Sequence, residues 1–109
     1  MTYVLVNTRI PFLKTFRNLS VDAQVAYYVL VSWLASRWSK DGAIATVAWS
    51  STRIADKNRR KIASELVSAG LWEHTGQGDY RYCNYTVCQD ESHDDKCVGH
   101  IDVPSACGG

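Results

Sequence analysis

Six side chains able to hold a soft or borderline metal fall within the 25 residues from Cys83 to Cys107: Cys83, Cys88, His93, Cys97, His100 and Cys107. Zinc takes four ligands, usually Cys and His, and paired ligands commonly stand two to four residues apart. Cys97 and His100, with two residues between them, fit that spacing best. Cys83 and Cys88, with four between them, suit a strand end followed by a turn, and a set of Cys88, His93, Cys97 and His100 can be written equally well. No C-x-x-C pair occurs, so zinc stands beside two other readings, a disordered thiol-bearing tail and disulfides. Cys83 also has a plainer role as a small buried hydrophobe, sharing a strand face with Tyr85 and Val87.

The second chemical signal is "DKNRRK", residues 56–61, where four of five successive positions are basic. At a helix start such charges oppose the macrodipole, which favours cations at the other end, so something beyond helix stability should explain them. Phosphate contact is one explanation, because Lys and Arg neutralise phosphates and helical N–H groups point at anions. A solvated charged face is the other. Catalysis finds no comparable footing: there is no Gly-rich phosphate loop, nucleophile elbow or H-E-x-x-H motif, and a non-enzyme is expected.

These groups need elements to position them. "YVLVN" reads as a short strand or extended arm, stopped from running into a helix by Pro11. Ser20 caps a long helix in which Ala23, Ala26, Tyr27, Leu30, Val31, Leu34 and Trp38 form one apolar stripe. Val21, Val25, Tyr28 and Val29 make a second patch, covered by the N-terminal arm or used in a homodimer. After the turn "SKDG" and the β-like "AIATVAW", a short helix begins at Thr46 or Ser50. Asp56 then caps a third helix, stopped by Gly70, whose inward face is Ile62, Ala63, Leu66 and Ala69. Lys57, Arg60, Lys61, Ser64 and Ser68 lie opposite that face, with Asn58 and Arg59 flanking. "GLWEHT" and "YRYCNYTV", joined by "GQGD", read as a hairpin.

The order helix, short strand, helix, basic helix, strand, turn, strand resembles the winged helix-turn-helix family. "DKNRRKIASELVSAGLWE" is similar to its recognition helix running into the first wing strand. More narrowly, "LSVDAQVAYYVL", "DGAI" and "SELVSAGLWEHTGQGDYRY" resemble small proteins of actinobacterial phages and prophages. The resemblance spans roughly residues 15 to 87 and implies an α+β winged-helix domain over residues 1–87, with an irregular acidic Cys/His tail over 88–109. It implies double-stranded DNA as partner, in transcription regulation or as a replication accessory. Lys57, Arg60, Lys61 and Ser64 would face the major groove, with Arg60 able to read a guanine edge bidentately. Arg53, Asn58 and Arg59 would contact phosphates, and Gln77 and Arg81 would serve the wing. Because winged helices also dock on proteins, the alternative is an adaptor or inhibitor using the Trp-rich surface near Trp33, Trp38 and Trp49 and the acidic tail.

At 109 residues, 46% hydrophobic and 11% aromatic, the chain suits one domain with one core. Residues 1–82 hold eleven Lys or Arg against six Asp or Glu, a balance of +5, while residues 83–109 hold one Lys against five acids, a balance of −4. That split marks a mildly basic body and an acidic tail, which can also fold back to screen the basic helix. The start lacks the pattern of a signal peptide, and no window reaches the ~18 apolar residues of a membrane span. The expectation is a cytoplasmic protein without membrane partners, in which the "NLS" and "NYT" sequons carry no glycan.

Overall fold

The computed structural model describes residues 2–76, 79–88 and 96–103. Among them run β1 (Tyr3–Val6), a 3-10 turn (Ile10–Phe12), α1 (Lys14–Arg17) and α2 (Val21–Ser36). There follow β2 (Ala43–Ile44), a 3-10 segment (Thr46–Thr52), α3 (Asp56–Ser68), β3 (Trp72–His74), β4 (Tyr80–Tyr82), β5 (Tyr85–Val87) and β6 (Cys97–Ile101). The class is α+β, with two three-stranded sheets. No helix among the described residues is long and apolar enough to cross a membrane.

Ser20 begins α2 as its residue type predicts, accepting a hydrogen bond from the Ala23 N–H at 3.2 Å. Its own N–H and hydroxyl donate to the Glu65 carboxylate at 3.0 and 2.9 Å, so the cap also ties α2 to α3. Ala23, Ala26, Tyr27, Leu30, Val31 and Leu34 are buried along one stripe. Trp38 is not: α2 has ended, its backbone is left-handed at φ 51°, and the residue is 53% exposed. The arm leaves the second patch open, with Val21 73%, Val25 50% and Tyr28 38% exposed. It instead reaches the far end of α2, where the Thr2 hydroxyl donates to the Ala35 carbonyl at 2.9 Å.

α3 is rotated into place by Ile62, Ala63 and Leu66, all buried. Asp56 does not cap it. Ala55 occupies that position, without a side-chain cap, and Asp56 is the first helical residue, ion-paired with Arg59 one turn on. The C-terminal end follows the glycine signal closely: Gly70 has φ 79°, its N–H bonds to the Val67 carbonyl and the Leu71 N–H to that of Leu66. This closes the last turn and buries Leu66 and Leu71 together. The segment before α3 is a 3-10 helix from Thr46 to Thr52 rather than an α-helix, and neither Thr46 nor Ser50 caps it.

In the first sheet, ordered β2-β4-β3, both pairings are antiparallel: Trp72, Glu73 and His74 oppose Tyr82, Arg81 and Tyr80, and Ile44 opposes Tyr80. The hairpin expected from "GLWEHT" and "YRY" is present, but "YRYCNYTV" is two strands. Asn84 takes a left-handed backbone, φ 59°, and turns the chain so that β5 enters the second sheet. That sheet is ordered β1-β6-β5, with β6 parallel to β1 and antiparallel to β5. Residues 97–101, expected to be irregular, are therefore a central strand. Cys97, Val98 and Ile101 are buried there, which rewards ordering that the surrounding acids hide in the composition.

The core is aromatic at its centre. Trp72 packs edge-on to Trp49 and to Tyr82, and Tyr82 edge-on to Tyr27 at 5.0 Å between centroids. The Tyr82 hydroxyl donates to the Tyr27 backbone carbonyl, joining the first sheet to α2. Tyr85 links the second sheet to the α2–β2 turn, donating to the Ser39 carbonyl at 2.6 Å. It lies over Gly99, where a Cβ would meet its hydroxyl oxygen at 2.5 Å.

Candidate nucleic-acid interface and candidate metal centre

With Ile62, Ala63 and Leu66 facing inward, the opposite side of α3 presents Lys57, Asn58, Arg60, Lys61 and Ser64 to solvent. Among the described residues Lys57, Arg60 and Lys61 have no ion-pair partner, so their charge is not neutralised within the molecule. Arg59 differs from its neighbours. It pairs with Asp56 at 2.8 Å and donates through Nε to the Ile54 carbonyl at 3.1 Å, which makes it a brace for the start of α3. Arg81 is likewise engaged, ion-paired with Glu73 directly across the β3–β4 ladder. Arg53 is exposed at the end of the 3-10 segment with φ 61°. Gln77 lies outside the described residues.

Two acids thus reassign two of the expected cations. The Asp56/Arg59 pairing follows an i,i+3 spacing visible in the sequence. The Glu73/Arg81 pairing needs the hairpin register, since opposite charges directly across a ladder attract. What remains on α3 is a group of three cations with an amide and a hydroxyl, suited to anionic oxygens, with Arg53 as a fourth cation before the helix. Beside it runs a shallow groove lined by Thr15 and Asn18 from α1 and its exit, and by Lys61, Ser64, Ser68 and the acidic Glu65 from α3. The Trp surface proposed for protein docking does not form as a unit. Trp49 is buried, Trp33 packs partly against the core with the Arg37 guanidinium 5.4 Å from its ring, and Trp38 alone is well exposed.

The Cys/His residues gather at the second sheet. The ligand atoms of Cys88, Cys97 and His100 all lie within 4.8 Å of one another. An uninterrupted strand would send residues 97 and 100 to opposite faces, because side chains alternate. The β1–β6 ladder breaks that alternation: Tyr3 pairs with Cys97 but Val4 pairs with Gly99, so β6 carries one extra residue. The irregularity brings Cys97 round to the side of His100. Cys88, at the end of β5, is held next to β6 by its N–H bonding to the Val98 carbonyl at 3.0 Å.

Cys97 is buried, and Cys88 and His100 are half-buried. The described cysteines form no disulfide. Two thiols and an imidazole so placed could hold a metal ion. Cys83 is not part of the group: it sits buried in the turn after β4, its N–H bonded to the Leu71 carbonyl at 3.0 Å. His93 and Cys107 lie outside the described residues. Comparison with protein-family models, characterised proteins and solved structures finds no match.

Proposed function

We propose that this chain binds double-stranded DNA as a winged helix-turn-helix protein of the phage type, serving as a transcription regulator or replication accessory. The observation that carries the reading is the outward face of α3, where Lys57, Arg60 and Lys61 are exposed together and have no ion-pair partner among the described residues. The order α2, β2, 3-10 segment, α3, β3, β4, with β4 central in its sheet, supports it. That order is the one the sequence resemblance implies, with a 3-10 segment in place of its second helix.

In this reading α3 enters the major groove. Arg60 reads a base edge through its guanidinium fork, and Lys57, Lys61, Asn58 and Ser64 fix the register on phosphates and groove edges. Arg53 stands beside α3 as a further phosphate contact, while Arg59 and Arg81 serve the fold through Asp56 and Glu73. A homodimer would double the contact area and its charge.

Fluorescence anisotropy on a mixed duplex library at low salt tests the assignment. Arg60→Ala combined with Lys61→Ala should weaken binding by about tenfold or more, as expected for two lost charge contacts, while Arg81→Ala should change it less than about threefold. Equal affinities for wild type and the double variant would remove α3 as the reading helix.

A second reading, docking on a protein, draws on the exposed ridge Val21, Val25 and Tyr28. Spaced at four and three residues on α2, these side chains share one side of that helix, whereas the cations stand on α3. Binding through it would survive high salt, which separates it from phosphate contact.

A further inference from the structure

We infer that Cys88, Cys97 and His100 form a zinc(II) site that staples β5 to β6 at the mouth of their connection. Nothing in this inference depends on DNA binding, since the three ligands stand on the β1-β6-β5 sheet and the basic face stands on α3. Three observations carry it.

The first is convergence against the local rule. Cys97 and His100 meet only because β6 carries an extra residue opposite β1, and such irregularities re-aim side chains at sites of use. The second is cross-strand assembly. Cys88 is the residue immediately after β5, and its backbone bond to Val98 sets its thiol beside the pair on β6. The third is donor chemistry. Two sulfurs and one imidazole nitrogen suit zinc, whereas magnesium and calcium require oxygen ligands.

The dimensions are compatible. Tetrahedral zinc with bonds of about 2.3 Å to sulfur and about 2.0 Å to nitrogen holds its donors roughly 3.5–3.8 Å apart. The present donors, none more than 4.8 Å from another, need to close by at most about 1.3 Å, within the reach of side-chain rotation. The three groups provide three of the four positions. Binding exchanges thiol protons for metal–sulfur bonds: each cysteine that ligates releases its proton to solvent as a thiolate forms, and no electron is transferred. The consequence for the fold is a cross-link between residues 88 and 97. It closes their connection and fixes the central strand of the sheet at its N-terminal end.

The test uses the full chain, reduced and freed of metal, titrated with cobalt(II) and then with zinc(II). One cobalt per chain should bind with the visible bands of tetrahedral cobalt and a thiolate-to-cobalt charge-transfer band, and one equivalent of zinc should abolish both. Cys88→Ser and His100→Ala should each weaken cobalt binding by at least about tenfold, and Cys83→Ser should leave it unchanged. The wild-type titration stands by itself if a variant fails to fold. A folded, reduced wild type that gives no charge-transfer band would overturn the inference, as would bands that persist in both Cys88→Ser and His100→Ala.

Discussion

Tyr27 and Tyr82 meet at the centre of the molecule through different atoms. The Tyr82 hydroxyl donates to the Tyr27 backbone carbonyl, and the two rings stack edge to face. Burial pushes both phenols above their ordinary value of 10.0, foremost because the charged form loses its water; Tyr28 and then Cys83 add to the rise at Tyr27, and Tyr27 adds to it at Tyr82. The sign of the linkage follows. A phenol whose folded-state value is raised keeps its full stabilising effect below the unfolded value, near pH 10, and loses it as pH climbs towards the folded value. Thermal melts should therefore be insensitive to these tyrosines up to about pH 9 and should fall above about pH 10, with the phenolate absorbance of the two buried rings appearing only on unfolding. Early phenolate absorbance from all six tyrosines in a still-folded protein would contradict the burial of this pair.

At the scale of elements, β6 decides how the chain is arranged, and it is the element least visible in the sequence. The α2 stripe, the glycine stop of α3 and the β3–β4 hairpin could be read from periodicity and turn residues. β6 could not, because "CVGHI" is five residues long and sits among acids that mark the region as solvated. The break in "YRYCNYTV" was hidden for a related reason: Asn84 adopts the left-handed turn that a glycine would have announced. The candidate metal centre was legible in part. The two-residue gap between Cys97 and His100 can be seen in the sequence, but their meeting depends on an irregularity in pairing with Tyr3 and Val4, at the other end of the chain. Gly99 has a testable place in this arrangement. An added methyl would press on Tyr85, held by Ser39, and on the Thr86 backbone carbonyl at 2.9 Å. Gly99→Ala should cost about 1–3 kcal/mol through overpacking, a drop of roughly 5–20 °C in Tm by calorimetry. A melting point unchanged within a degree would show that Tyr85 does not pack there as described.

For the whole molecule, the distribution of charge matters more than its sum. The formal net charge of +1 conceals a body at +5 and a C-terminal stretch at −4, and within the body two arginines are neutralised by partners. Three of the cations without an ion-pair partner among the described residues, Lys57, Arg60 and Lys61, stand together on one helix face. A face of that kind attracts a polyanion whose charges lie in rows, and it does so by releasing the polyanion's counterions. The most direct measurement is the salt dependence of wild-type binding to duplex DNA, followed by anisotropy from low to physiological salt. Contacts through Lys57, Arg60 and Lys61 predict that the logarithm of the affinity falls linearly with the logarithm of salt, with a slope of about −2 to −3 per chain. Absence of duplex binding even at low salt, or an affinity that does not change with salt, would contradict the account.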